Sequence, residues 1–209
     1  DLPDGPPTVH LKGFGLEDSH SICNSLRWGP DGWLYAAQGS TVSSDVLVNG
    51  ENGREADVIH TQGQQNWGYH PEQRIFEVFA EGGGNAFGCE IDQKGRVFSG
   101  HNGGDARGFH YVQGGYLRKG FNKHGDHSNR FAYGYFPHMP HEKVKRFTHN
   151  FIVYEGASLP AQYRGKLFGV DPINRYVPVV DRIEQGSTFA TSDVSAAVMT
   201  EDEWFRPVD

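Results

Sequence analysis

Two side chains near the start of the chain combine a carboxylate with an imidazole, those of Asp18 and His20. An imidazole beside a carboxylate can accept a proton near pH 7, which is the task of a general base. Both residues precede a strongly marked hairpin, so we expect them on a loop at the entrance to its first strand. An alternative role for His20 is a local hydrogen bond that fixes this loop, and the spacing leaves both roles open.

A second group of candidates lies in a long polar and aromatic segment, residues 114–150. It holds five of the 11 histidines, and four of these form two His-x-x-His pairs, His124 with His127 and His138 with His141. Such spacing can place two imidazoles on one metal ion. No cysteine accompanies them, however, and loops rich in His, Gly and Asn also cover channel mouths without binding metal.

Asp105 is a candidate ligand for calcium. It follows the second of three similar hairpins, within His101-Asn-Gly-Gly-Asp105. Calcium prefers oxygen ligands, and a carboxylate together with backbone carbonyls supplies them. An ordinary glycine-rich turn is the alternative interpretation of this stretch.

The hairpin behind His20 is the clearest structural signal in the sequence. Residues 25–28 form a half-apolar run, Gly29-Pro-Asp-Gly32 has strong turn chemistry, and residues 33–37 suit a returning strand. Weaker copies of this hairpin recur at residues 91–100 and 163–171. Recurrence of one pattern at similar spacings is typical of a repeat architecture.

Further strand pairs follow the first and third hairpins, at residues 66–70 with 74–82 and at 174–180 with 181–186. Roughly four strands per repeat is the signature of a β-propeller blade. The sequence therefore predicts an all-β fold and a β-propeller of about three blades. An antiparallel sandwich is the alternative.

The predicted blades divide the whole chain. Residues 1–15 are expected to end a preceding blade, three blades are expected at 16–82, 83–150 and 151–200, and 201–209 would begin the next. Because propellers have roughly four to eight blades, we expect the chain to be a fragment of a larger ring.

Composition excludes two classes of function. The net charge is −7, whereas non-specific nucleic-acid binding requires clustered Lys and Arg. No apolar run approaches the ~18 residues of a membrane-spanning helix. The two cysteines, Cys23 and Cys89, lie near predicted inner strands, where a free cysteine usually acts as a small buried apolar side chain. A disulfide between them is the alternative.

Residues 20–35, His-Ser-Ile-Cys-Asn-Ser-Leu-Arg-Trp-Gly-Pro-Asp-Gly-Trp-Leu-Tyr, resemble the signature of the soluble quinoprotein glucose/sorbosone dehydrogenase superfamily. They are most similar to its planctomycete-type group of membrane-bound dehydrogenases. Further matching stretches, which extend the resemblance over nearly the whole chain, are residues 77–88, 158–168, 186–189 and 202–207.

The resemblance implies a six-bladed-type propeller that oxidises a sugar or alcohol with pyrroloquinoline quinone (PQQ) and calcium. It also implies a periplasmic or other extracytoplasmic location. Electrons would pass to a c-type cytochrome or to a haem c domain outside this chain.

The resemblance also assigns functions to individual residues. The family's catalytic base maps onto His20, and an asparagine that contacts the quinone carboxylates maps onto Asn85; Asp18 is the second candidate for cofactor binding. The family's arginine before that asparagine is replaced by Gly84, and glycine cannot supply a bidentate cation.

Two hypotheses for function follow from these matches. The first is a PQQ-dependent sugar or alcohol dehydrogenase with His20 as general base. The second is a non-catalytic propeller with a decayed cofactor site, which binds carbohydrate or a partner protein. Gly84 favours the second hypothesis, whereas His20 and the length of the resemblance favour the first.

Overall fold

The computed structural model describes residues 3–49, 55–100, 108–118, 135–141 and 151–207. Within these ranges the chain forms fifteen β-strands, one short 3-10 helix (Ala161–Tyr163) and no α-helix. The strands are β1 Leu11–Lys12, β2 Cys23–Trp28, β3 Leu34–Gln38, β4 Ser44–Asn49, β5 Glu55–Thr61, β6 Gln65–His70, β7 Ile75–Glu81, β8 Glu90–Ile91, β9 Val97–Gly100, β10 Gly108–Tyr111, β11 Gly115–Tyr116, β12 Phe151–Val153, β13 Leu167–Gly169, β14 Tyr176–Gln185 and β15 Thr188–Met199.

The first sheet is an antiparallel meander of β2, β3, β6 and β7, with β11 added in parallel beside β7. The turn between β2 and β3 forms because Pro30 and Asp31 favour a turn and Gly32 adopts a positive φ of 82°. Asp31 accepts hydrogen bonds from the Trp33 backbone N–H at 3.2 Å and from the Tyr35 hydroxyl at 2.7 Å. The predicted hairpin is confirmed.

A three-stranded side sheet, ordered β1-β4-β5, packs on the first sheet. The β4–β5 hairpin follows β3 in the chain, and β6 then returns to the first sheet. The contact between the two sheets is apolar, with Val46 and Val48 of β4 packed among Trp67 and Phe76. Within residues 1–15, which are expected to end a preceding blade, β1 pairs with β4 of this side sheet.

The second sheet is β8-β9-β10 and the third is β12-β13-β14-β15, and all their neighbouring strands are antiparallel. Two strands were expected over residues 174–186, whereas the structure has the single strand β14 over most of this range. Register shifts occur between Val177 and Pro178 and between Val179 and Val180. Such bulges bend a strand without ending it, so the chain continues through the expected break.

Apolar cores join the three sheets face to face. The core between the first and second sheets contains Tyr35, Phe79, Ala80, Cys89, Val97, Phe109, Tyr111 and Leu117. The core between the second and third sheets contains Phe98, Met139, Phe151, Val153, Leu167, Val180 and Phe189. The second sheet is therefore covered on both faces, as a blade between two others must be.

Successive antiparallel sheets stacked through apolar faces confirm the prediction of an all-β, propeller-type fold. The blade boundaries at 16–82, 83–150 and 151–200 stay predictions, as does the larger ring. In the described parts of the chain, no helix has the length and apolar character needed to cross a membrane.

Both cysteines are unpaired, with Cys89 buried and Cys23 half-buried. Burial raises the pKa of the Cys23 thiol to about 11 and that of Cys89 to about 12. Both thiols therefore stay protonated near neutral pH, and the thiolate is the reactive form of cysteine. They act as small packing residues, as predicted.

Candidate functional site

Asp18 and His20 lie on the loop that enters β2, and the loop holds them together. The Asp18 backbone carbonyl accepts the Ser21 N–H at 3.0 Å, and Asp18 Oδ1 accepts the His20 backbone N–H at 2.9 Å. His20 Nδ1 then lies 3.4 Å from the same oxygen. The imidazole is 89% exposed, so a ligand in solution can reach it.

The second oxygen of Asp18 is held by hydroxyl groups. Asp18 Oδ2 accepts a short hydrogen bond from Thr41 and another from Ser21 Oγ at 3.2 Å. The Thr41 bond, followed by the bond from the His20 backbone N–H, lowers the pKa of Asp18 to about 2. Asp18 therefore remains ionised at neutral pH. A carboxylate beside Nδ1 favours the proton on that nitrogen and leaves Nε2 as the acceptor.

Asn85 reaches the same place from the loop between β7 and β8. Its Oδ1 accepts hydrogen bonds from Ser21 Oγ at 3.1 Å, from the Ser40 backbone N–H at 3.0 Å and from Ser40 Oγ at 3.3 Å. A backbone N–H can only donate, which identifies the bonded atom of Asn85 as its oxygen. The Nδ2 amide makes no hydrogen bond to the described residues, so it can donate to a ligand.

Close backbone approach brings these loops into contact. A Cβ at Gly39 would press against Asn85 Oδ1 and would lie 2.7 Å from Ser21 Cα, so the position requires glycine. Asn24 ties the Asn85 loop to β2, because its Nδ2 donates to the Ala86 carbonyl at 3.3 Å and its Oδ1 accepts the Gly88 N–H at 3.2 Å.

We call the residues that bond together at this end of the first sheet the rim network. Its members are Asp18, Ser21, Ser40, Thr41 and Asn85, with His20 attached through Asp18. The network contains Asp18 and Asn85 of the predicted site and brings His20 beside them.

Sequence analysis missed the three hydroxyl residues of the rim network. Gly39-Ser40-Thr41 follows directly after a predicted strand, and Ser21 follows His20. Small polar residues where a strand begins or ends are the signal that would have identified them.

The rim offers donors for a carboxylated ligand such as PQQ. The Asn85 amide is one donor. The Gly83 N–H donates to the backbone carbonyl of the cationic residue Arg118 at 3.3 Å, but the exposed Arg118 guanidinium lies over the Tyr135 ring, 5.8 Å from its centroid. Gly84, with a φ of 90°, contributes no side chain. The Asn85 amide therefore fits a carboxylate of such a ligand beside an accessible base.

The predicted metal sites are only partly within the described residues. The rings of His138 and His141 have centroids 5.6 Å apart, and His138 Nδ1 donates to the Met139 carbonyl at 3.0 Å. The described residues contain no group of three or more His, Cys, Asp or Glu arranged for a metal. Asp105, His124 and His127 lie outside the described residues, and their assignments stay predictions.

Residues 7–209 match a family described as a domain of unknown function, DUF7133. The chain belongs to this family. No curated protein matches the DUF7133 chain.

Two solved structures are similar to the DUF7133 chain, each at 14% sequence identity. One is described as an oxidoreductase (glucose dehydrogenase) from Thermus thermophilus; the match covers 87% of this chain and 72% of that one, with a TM-score of 0.49. The other is the PQQ-bound form of aldose sugar dehydrogenase from Streptomyces coelicolor, with coverage of 84% and 50% and a TM-score of 0.47. The DUF7133 chain thus spans half the length of the Streptomyces protein.

Proposed function

We propose that this chain is the propeller of a PQQ-dependent dehydrogenase that oxidises a hydroxyl group of a sugar or alcohol. One observation carries the proposal: an exposed imidazole, His20, stands beside the ionised Asp18 in the same network that leaves the Asn85 amide free to donate. A base and a ligand donor thus share one end of the first sheet. The sequence resemblance to quinoprotein sugar dehydrogenases supports the choice of chemistry.

In the proposed reaction, His20 Nε2 removes the proton from the substrate hydroxyl. Asp18 keeps the other ring proton on Nδ1 and stabilises the imidazolium that forms. Bound PQQ would supply the two-electron acceptor that takes the hydride from the carbinol carbon, so that the alcohol becomes a carbonyl. Asn85 Nδ2 would donate to a carboxylate of that group.

The remaining parts of the proposal come from the resemblance. Calcium would accompany the quinone, with Asp105 as a candidate ligand. A c-type cytochrome or a haem c domain would accept the electrons in the periplasm or another extracytoplasmic compartment.

The test uses the full-length protein and two histidine variants. PQQ binding in the presence of calcium is followed by quenching of tryptophan fluorescence, and turnover is followed with a dye acceptor over a panel of sugars and alcohols. We expect saturable, calcium-dependent quenching in the wild type and in His20→Asn. Turnover in His20→Asn should fall by at least about 100-fold, since general base catalysis contributes on that scale.

His60→Asn is the matched control. His60 also pairs with a carboxylate, its Nδ1 lying 2.7 Å from Asp45 Oδ1, and it is exposed. It bonds to no member of the rim network, so its loss should leave turnover unchanged. Equal turnover in His20→Asn and His60→Asn would refute His20 as the base.

A non-catalytic binding propeller is the second candidate, favoured by Gly84 at the position of the family's arginine. It predicts a folded wild-type protein with no quinone-dependent quenching. Saturable binding of an oligosaccharide without turnover would then support the second candidate and exclude the first.

A further inference from the structure

We propose that the hydroxyl groups of Ser21 and Thr41 are positioning residues that hold His20 and Asn85 in a fixed relation across the site. The inference rests on the proposed function, because it assigns these hydroxyls to the alignment of its base with its ligand donor. Ser21 is 64 residues from Asn85 in the chain, so the link joins two separate loops.

Two acceptors face each other in the rim network. The ionised carboxylate of Asp18 and the Oδ1 of Asn85 can only accept hydrogen bonds, so they cannot bond to each other. The hydroxyls of Thr41 and Ser21 lie between them, with their oxygens 2.8 Å apart. The hydroxyls thus turn two groups that have no direct attraction into one connected structure.

The proton of Ser21 is shared among competing acceptors. Ser21 Oγ can donate to Asn85 Oδ1 at 3.1 Å or to Asp18 Oδ2 at 3.2 Å, and it accepts the Thr41 hydroxyl at 2.8 Å. A hydroxyl carries one proton, so Ser21 donates fully to one acceptor at a time. When Ser21 donates to Asn85 Oδ1, it no longer donates to Asp18 Oδ2, so the hydrogen bonding of these two residues is linked.

Ser21 is also the best-fixed hydroxyl of the pair. It is 1% exposed, and its backbone is held on both sides, because its N–H donates to Asp18 and its carbonyl accepts the Gly39 N–H at 3.0 Å. Thr41 is exposed, and its hydroxyl makes the bond that contributes most to holding Asp18 ionised. Ser21 therefore fixes the distance between the loops, and Thr41 fixes the carboxylate that orients His20.

The experiment compares Thr41→Val with Thr41→Ser, and Ser21→Ala with wild type, in the full-length protein. Valine removes the hydroxyl at nearly constant shape, whereas serine retains it. We expect Thr41→Val to lower kcat by about 10- to 100-fold, the cost of misplacing a catalytic group, with unchanged PQQ affinity. Ser21→Ala should lower both kcat and PQQ affinity, and Thr41→Ser should restore wild-type values.

A second readout does not depend on activity. The ¹⁵N chemical shifts of the His20 ring, identified by their loss in His20→Asn, report which nitrogen carries the proton. Wild type and Thr41→Ser should show the proton mainly on Nδ1, whereas Thr41→Val should approach the tautomer mixture of a free histidine. A structural role alone would lower the melting temperature without altering these shifts.

The outcomes separate the two proposals. A wild type without turnover but with the expected shift between Thr41→Ser and Thr41→Val would refute the dehydrogenase and retain the positioning by hydroxyls. Identical His20 shifts in Thr41→Val and wild type, or equal damage from Val and Ser, would overturn the positioning inference whatever the activity.

Discussion

The rim network and the charged contacts between the sheets are two polar regions that are built on opposite principles. The rim network contains a single carboxylate, Asp18, held by uncharged hydroxyl and backbone donors, and the His20 imidazole beside it is open to solvent. Between the second and third sheets, Asp92 is buried and ion-paired with Arg96 and Arg182, at 2.6 and 2.7 Å. The neutral donors of the rim position Asp18 and leave His20 accessible, whereas the buried ion pairs of Asp92 stabilise the contact between the second and third sheets.

We define the buried charge network as Asp92, Arg96 and Arg182. Both carboxylate oxygens of Asp92 accept hydrogen bonds, and Oδ2 receives those from the two arginine side chains. Asp92 Oδ1 also accepts the backbone N–H groups of Lys94 and Arg96. Burial opposes ionisation of Asp92, but the bonds from Arg96 and Arg182 outweigh it, and the pKa is lowered. Arg182 belongs to β14, so the network fastens the second hairpin to the third sheet.

Glu90 makes a comparable link across all three sheets. It pairs with Arg27 of the first sheet at 2.6 Å and accepts the Val153 N–H of the third sheet at 3.0 Å. Here burial dominates, and the pKa of Glu90 is raised. The pKa values of the two buried carboxylates are therefore shifted in opposite directions.

The largest effect is expected from Asp92→Ala. The substitution leaves Arg96 and Arg182 without their buried partner, and breaking such a pair costs about 3–5 kcal/mol of the free energy of unfolding. Asp31→Ala removes the corresponding exposed residue of the first hairpin and should cost only about 1 kcal/mol. Chemical denaturation of both variants measures the difference. Equal losses would show that the buried network contributes no more than a surface turn.

Gly39→Ala is expected to have the opposite pattern to Asp92→Ala: its main effect should be on ligand binding at the rim network, with a smaller loss in the free energy of unfolding. The added Cβ presses on Asn85 Oδ1 and crowds Ser21, and overpacking of this kind costs about 1–3 kcal/mol. Displacement of Asn85 should lower PQQ affinity about tenfold or more, since about 1.4 kcal/mol changes an equilibrium tenfold.

Gly5→Ala is the matched control for Gly39→Ala, because a Cβ there meets nothing within 4 Å. It should leave both quinone titration and denaturation as in the wild type. Unchanged PQQ affinity in Gly39→Ala would show that Asn85 does not contribute to PQQ binding.

The sequence predicted features that depend on neighbouring residues and did not predict contacts between distant parts of the chain. The β2–β3 hairpin follows from local turn chemistry in Pro30-Asp31-Gly32, and its recurrence predicted the propeller-type fold. The pairing of β1 with β4 was not predicted, because β4 lies more than 30 residues later in the chain, and such pairing leaves no local signal.

The site was predictable residue by residue but not as a network. Residue type and position before the first hairpin singled out Asp18 and His20, and family resemblance supported His20 and added Asn85. That Ser21 and Ser40 bond to Asn85 depends on the approach of two loops at Gly39, and such an approach is decided by the packing of whole strands. For the same reason, the ionic contact of Arg182 with Asp92, 90 residues apart, could not be inferred from either hairpin alone.

The smallest expected effect is on how the free energy of unfolding depends on pH, where Asp18 and Glu90 should contribute slopes of opposite sign. The pKa of Asp18 is lowered to about 2 from an ordinary 3.8, so its contribution to stability is present above the ordinary value and is lost as the pH falls toward 2. The pKa of Glu90 is raised above its ordinary 4.5, so the folded state holds that proton more tightly, and stability falls as the pH rises from 4.5. Denaturation across pH 2–7 should therefore show a slope removed by Asp18→Asn below pH 4, and one of opposite sign removed by Glu90→Gln above pH 4.5. Slopes of the same sign would mean that the pKa values of Asp18 and Glu90 are not shifted in opposite directions by folding.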